Sequence, residues 1–173
     1  MTFRKSEKSD AVQIMSIVNQ AKAYLKSLGI DQWQNGYPNE DIINQDISQR
    51  AGYVLSDNDS IVATVAMFFG IEPTYNKIDG EWLSGNNENY CTIHRLAVDN
   101  AKKNMGNSSL ILQNIQEICK QRNMSHIRVD THNENVAMRQ FLQKNGFIYC
   151  GTIYIPEEKG GCTSERAAYE KSL

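Results

Sequence analysis

Residues 90–122, YCTIHRLAVDNAKKNMGNSSLILQNIQEICKQR, hold the side chains and turns best suited to chemistry. Residues 90–98 alternate as a strand does, and a polar turn carrying Gly106 leads to Leu110, Ile111, Ile115, Ile118 and Cys119 at helical spacing. Strand, glycine-bearing turn and helix together can hold a phosphate. The first N–H groups of a helix have no intrahelical partner, and the helix dipole places partial positive charge there. Gly106 permits a backbone course that a side chain obstructs, and Lys102 and Lys103 add mobile positive charge. The plainer reading of Gly106 is a turn and nothing more.

Histidine supplies the other chemistry, because its charge changes near neutral pH. On a regular pleat Thr92, His94, Leu96 and Val98 share one face, and Cys91, Ile93, Arg95 and Ala97 the other. His94 is therefore either a general base or a hydrogen-bonded core histidine. His132 follows the end of the next strand, the edge where ligands gather in open α/β sheets, although a solvated loop histidine also fits. His126 has no assigned role. Arg95 reads as structural, with Asp130 on the neighbouring strand as its expected partner, since a buried charge must be matched.

The elements that must position these groups are legible along the chain. Residues 2–5 form a short strand. Ser9 or Asp10 can cap a helix with apolar positions Ala11, Ile14, Met15, Val18, Ala21, Leu25 and Leu28, stopped by Gly29. Residues 31–38 are a polar loop whose Trp33 and Tyr37 either cover the core edge or form a substrate-pocket wall. Residues 39–50 form a second helix, with Ile43 and Ile47 one turn apart, and residues 52–56 and 61–69 a hairpin. Residues 70–89 lack a steady period and read as a long loop over a site, with Tyr75 and Trp82 as pocket candidates. Residues 126–131 are a strand, 135–144 a helix ending at Asn145-Gly146, and 147–155 and 166–171 two strands joined by the Gly160-Gly161 turn. Hairpins mixed with strand–helix–strand units give an α/β (α+β) sheet with helices on both faces.

Bulk properties limit the partners. The 173 residues are expected to form a single domain (1–173) with a real core. With 40% hydrophobic and 22% charged residues the chain is globular, and a net charge of −2 argues against nucleic acid or an anionic membrane. The N-terminus lacks a secretory apolar core, and the longest apolar run is too short to span a bilayer. Cys91, Cys119, Cys150 and Cys162 contain no C-x-x-C pair, so no metal site or redox pair is expected; reduced thiols fit a cytoplasmic protein.

The order of elements resembles the GNAT superfamily of acetyl-CoA-dependent N-acetyltransferases, in its small bacterial-type form, over nearly the whole chain. Residues 98–108, VDNAKKNMGNS, resemble the family's central motif, a strand-terminal Val followed by Arg/Gln-x-x-Gly-x-Gly/Ala and a helix. Gly106 matches, while Lys103 and Ser108 depart from the usual residues. Residues 135–147, NVAMRQFLQKNGF, resemble the second signature, an Asn opening a helix that ends in Gly-Phe. The resemblance implies a mostly antiparallel central sheet with a splayed parallel strand pair at its centre. It also implies acetyl-CoA as co-substrate, held across the strand ends by Leu96, Ala97, Val98, Lys103, Asn104, Met105, Gly106, Asn107, Ser108, Ser109, Asn135 and Met138. Asn135 could equally cap its helix. Leu142 stands where many members carry the Tyr that protonates the leaving thiolate, seven residues after the Asn.

Acetyl transfer to an amine needs a neutral nucleophile, a donor for the developing oxyanion and help for the departing thiolate. An alkyl ammonium with a pKa near ~10.4 leaves roughly one molecule in 10³ reactive at pH 7, so a base is required. The resemblance turns the His94 face toward the acyl group, making His94 the candidate base, with Tyr149 and Cys150 as substitute acids. The expected activity is direct acetyl transfer to a primary amine of a small molecule or peptide, with Trp33, Tyr37 and Trp82 at the acceptor. Asp31, Glu40, Asp41 and Glu72 mildly favour a cationic acceptor. The alternative is a CoA-binding module that keeps the fold without catalysis. Edge strands in the closing hairpin leave a homodimer open.

Overall fold

The computed structural model describes residues 1–85, 89–156 and 163–173. The expected Gly160-Gly161 turn and Cys162 lie outside the described residues. Twelve regular elements follow in order: β1 (Thr2–Lys5), α1 (Ala11–Ser27), α2 (Glu40–Ser48), β2 (Gly52–Asp57), β3 (Ser60–Phe69), β4 (Ile78–Gly80), β5 (Tyr90–Val98), α3 (Asn107–Gln121), β6 (His126–His132), α4 (Val136–Lys144), β7 (Ile148–Pro156) and β8 (Thr163–Ser172). The strands form a mixed, mostly antiparallel sheet in the order β1-β2-β3-β5-β6-β8-β7-β4. Its parallel pair is β5–β6, registered from Tyr90↔His126 to Ile93↔Val129, which covers only the first part of β5.

The residues gather into two compact units, Met1–Met67 with His94–Ile115 and Phe68–Ile93 with Gln116–Leu173. In the first, Ala11, Ile14 and Val18 of α1 lie three or four residues apart and meet Ile43, Val54, Ile61 and Ala97 in the core. Asp10 does not cap α1 with its side chain: its carboxylate accepts the Glu7 N–H (2.8 Å) and two bonds from the Arg4 guanidinium (2.7 and 2.9 Å) within a 3₁₀ turn at Lys8–Asp10. Gly29 ends the helix at φ +73°, its N–H on Lys26 O and the Ile30 N–H on Leu25 O. Leu28 is exposed, because the helix stops before a further turn can carry it to the core. Asn39 Oδ1 accepts the Ile42 N–H (3.0 Å) and starts α2.

The second unit has a core of Tyr75, Trp82, Tyr90, Cys150, Ile153 and Ala168. Residues 70–85 are not the unstructured cover expected from the sequence. They contain a 3₁₀ turn, Pro73–Tyr75, and β4, which pairs with β7 through Ile78↔Ile153 and Gly80↔Gly151. A Cβ on Gly80 would meet Cys150 O at 2.2 Å and one on Gly151 would meet Asp79 O at 2.3 Å, so two glycines are required where the backbones touch. Tyr75 and Trp82 are buried and stacked 5.3 Å apart, and the Trp82 indole N–H donates to Tyr75 O (3.1 Å). Trp82 is thus a core residue rather than an open pocket wall. The Arg128 guanidinium lies over the rings of Trp82 (4.3 Å) and Tyr90 (4.0 Å) and is matched by Glu170 at 2.9 Å.

Candidate active site

The C-terminal part of β5 does not keep the simple alternation its sequence suggests. Arg95 has φ +56°, a left-handed conformation costly for a side-chain-bearing residue, and it interrupts the pleat between His94 and Leu96. The grouping of His94 with Leu96 and Val98 on one continuous face is corrected accordingly. Ala97 is buried in the core, whereas His94, Leu96 and Val98 are half-buried. Nothing in the polarity pattern marks Arg95 as left-handed, because Arg has no special preference for that region.

The Arg95 guanidinium reaches α2, not Asp130. Its Nε and Nη2 donate to Asp46 Oδ2 and Oδ1 at 2.8 and 2.7 Å, and its Nη1 donates to the Tyr37 hydroxyl. Asp130 instead accepts the Tyr75 hydroxyl at 2.6 Å. Burial pushes the Asp46 carboxyl above its ordinary range, while the charge and bonds of Arg95 and the nearby His94 pull it down. Sequence reasoning missed Asp46, although a signal existed. It stands three residues after Ile43 on the apolar stripe of α2, where a carboxylate requires a buried partner.

Residues 99–109 form the turn expected to hold phosphate. Asp99 anchors it: its N–H donates to Val62 O (2.9 Å), and its carboxylate accepts from the Ala101 N–H (2.8 Å) and Gln20 Nε2 (3.1 Å). Asn104 and Gly106 adopt φ +61° and +80°, and the buried Asn107 ties the helix start back through Nδ2 to Lys102 O (2.7 Å). The N–H of Leu110 makes the first backward bond, to Gly106 O at 2.9 Å, so the groups at 107–109 precede the helical ladder. Met105 is exposed, and Ser108 and Ser109 are half-buried. A Cβ at Gly106 would meet nothing within 4 Å, so its positive φ, not crowding, calls for glycine. Lys103 is not a freely ranging charge, since its ammonium sits 4.5 Å from the centre of the Tyr24 ring.

In the second unit, Asn135 Oδ1 accepts the Met138 N–H at 3.2 Å and caps α4. Leu142 is 1% exposed, packed as an ordinary core residue of α4. His132 does not follow the strand as expected but is the last residue of β6, paired with Arg166 of β8, and its Nδ1 accepts the Glu134 N–H (3.1 Å); His126 Nδ1 lies 2.8 Å from Ser125 Oγ. Tyr149 is half exposed, with its ring edge-on to Tyr169, while burial pushes the Cys150 thiol up. Glu72 is spent on its own turn, accepting from the Thr74 N–H (3.2 Å) and hydroxyl (2.8 Å). Cys91, Cys119 and Cys150 are free and buried, no metal-binding cluster occurs among the described residues, and no described helix is long and apolar enough to cross a membrane.

The fold is thus a mixed, mostly antiparallel α/β sheet with one short parallel pairing, its β5 leading through the positive-φ turn of Asn104 and Gly106 into α3. The chain belongs to the acetyltransferase (GNAT) family, whose model matches residues 18–147. It is an acetyl-CoA-dependent N-acetyltransferase. A GNAT-family acetyltransferase from Streptococcus agalactiae is 31% identical over 99% of this chain and 95% of that one, with a TM-score of 0.85. A putative acetyltransferase from Staphylococcus aureus Mu50 is 26% identical over 99% of both chains, with a TM-score of 0.73. The fold is shared with the PaiA N-acetyltransferase of Thermoplasma acidophilum in complex with coenzyme A, at 13% identity over 99% of this chain and 98% of that one and a TM-score of 0.71. Among curated protein sequences none matches the chain.

Proposed function

We propose that this enzyme moves the acetyl group of acetyl-CoA directly to a primary amine of a small molecule or peptide. The observation that carries the reading is the setting of His94. It is half-buried on β5, immediately before the left-handed Arg95, whose guanidinium is locked on Asp46. His94 takes a proton from the attacking ammonium; the neutral nitrogen then forms the C–N bond and gives up its second proton to solvent as the C–S bond breaks and the thiolate leaves. The backbone N–H groups of residues 104–109 and the cations of Lys102 and Lys103 suit the pyrophosphate. The main chain at Leu96, Ala97 and Val98 suits the pantetheine amides; Asn135 and Met138 are cofactor-binding candidates by family resemblance. Leu142 offers no proton, so solvent protonates the thiolate. Trp33 and Tyr37 contact the acceptor, and the acid-rich run of Asp31, Glu40 and Asp41 favours a cationic one.

Thiol release from acetyl-CoA, followed with aliphatic amines, diamines and short peptides bearing free α-amino groups, tests this reading. Acetylated amine must form in step with free thiol, and mass spectrometry of the enzyme after acetyl-CoA alone must show no acetyl-enzyme. Stable acetylation of the protein before amine addition overturns direct transfer.

A further inference from the structure

The residues 31–38 loop is fastened to the first unit at three places. Gln34 Nε2 donates to Lys22 O on α1 (3.0 Å), Lys22 Nζ donates to Pro38 O (2.5 Å), and the Tyr37 hydroxyl accepts from Arg95 Nη1. The last tie differs from the others in where it leads. Arg95 is the residue next to His94, and its other two donors are locked on Asp46 of α2. The planar guanidinium thus spans a buried carboxylate on one edge and a phenol on the other, a geometry that a lysine cannot copy. Both ionic partners are less than one tenth exposed in their side chains, so this anchor is shielded from solvent. Tyr37 itself is 38% exposed, its hydroxyl tied to Arg95, whose guanidinium also lies 5.9 Å from the centre of its ring.

We propose that Asp46 and Arg95 are positioning residues for the acceptor: through Tyr37 they hold the 31–38 loop in fixed register with the β5 residue that bears His94. The inference rests on the reading that this loop meets the amine. The chain of contacts gives the left-handed Arg95 of β5 a positional consequence. The backbone course at Arg95 sends the guanidinium to α2 and the loop, so the strain at one residue fixes the distance between an acceptor wall and a base. Trp33 stands in the same loop, at φ +67°.

Tyr37→Phe removes one hydroxyl and leaves the Asp46–Arg95 pair intact, so it tests the tie without endangering the fold. Arg95→Lys keeps the charge and loses the fork. Amide hydrogen exchange over residues 33–37, read by mass spectrometry, must quicken about tenfold in both variants, the scale of losing a bond to a charged group. Unchanged exchange in both overturns the tie. With the best amine from the thiol-release panel, KM for the amine must rise about tenfold while KM for acetyl-CoA stays within about twofold. Equal increases in both KM values, or none, overturn the acceptor role. If the wild-type enzyme acetylates no amine in the panel, the functional reading fails, and the exchange result still decides whether the tie exists.

Discussion

Arg95 and Asp46 meet through two hydrogen bonds of 2.8 and 2.7 Å, and their side chains are 9% and 8% exposed. Removing one partner of such a pair strands a buried charge, whereas removing both exchanges it for apolar contact. Arg95→Ala or Asp46→Ala is therefore expected to cost about 3–5 kcal/mol of folding stability. The double replacement Asp46→Leu with Arg95→Met should cost far less than either change summed. Urea unfolding of the three variants reads the difference, and additive losses would show that the charges do not depend on each other.

Glu170 carries a pH signature. Its side chain is fully buried against Arg128, with Ser84 donating to it through N–H (3.1 Å) and hydroxyl (2.5 Å). Burial pushes its carboxyl up, but the bonds from Ser84 and Arg128 outweigh that and hold it below the usual Glu range. The unfolded chain then binds the proton more readily than the folded one. Stability is present above the unfolded Glu pKa of ~4.3 and is lost as pH falls through the lower folded value. Urea midpoints measured from pH 6 down to 3 should decline, and Glu170→Gln should flatten that decline while lowering stability at pH 7.

Gly106 separates backbone conformation from bulk. An added Cβ meets no atom, yet φ is +80°. Gly106→Ala is expected to weaken acetyl-CoA binding measured by calorimetry, with a strain of roughly 1–2 kcal/mol. Gly106→Asn should be milder because Asn tolerates the left-handed region. Gly106→Pro, which fixes φ near −65° and deletes an N–H, should bind least. Equal affinity for all three would remove this turn from the cofactor site.

Asn135 can be assigned by measuring two quantities on one variant. Its bond to the Met138 N–H predicts that Asn135→Ala loses about 1 kcal/mol of stability. Its proposed contact with the pantetheine arm predicts a second loss, in acetyl-CoA affinity. A stability loss with unchanged affinity reduces Asn135 to a cap.

The sequence was most informative where a signal is local. β5 runs Tyr90–Val98 as its alternation indicates, α2 (Glu40–Ser48) falls within the expected 39–50, and α4 follows Asn135. β4 was hidden because three residues ending in Gly80 carry no period, and its partner Thr152 lies far along the chain from Asp79. The polar pairs were hidden for a similar reason. Arg95 could be matched to Asp130 from strand adjacency, but α2 brings Asp46 to it, and Tyr75 takes Asp130. Burial of Trp82 likewise depends on Arg128, which lies far along the chain from its loop, as well as on the neighbouring Tyr75. Charge pairing across tens of residues is decided by packing, and the only local trace was a carboxylate on an apolar helical stripe.

His94 decides how the amine loses its proton. An imidazole acting as base must be neutral, so kcat/KM for the amine should rise with pH to a plateau. Asp46 lies nearby, its carboxyl feeling the His94 charge, but Arg95 already occupies both of its oxygens. His94→Ala is expected to lower kcat/KM by roughly 10²- to 10⁴-fold and to erase that rising limb, with acetyl-CoA affinity kept. The absence of an acid at Leu142 complicates kcat, because thiolate departure can limit turnover and conceal proton abstraction. The comparison therefore uses kcat/KM for the amine at saturating acetyl-CoA, with His94→Gln as the second variant to preserve volume and polarity. A His94→Ala enzyme that keeps its activity and its rising limb makes His94 structural, and a water held at the end of β5 becomes the next base to test.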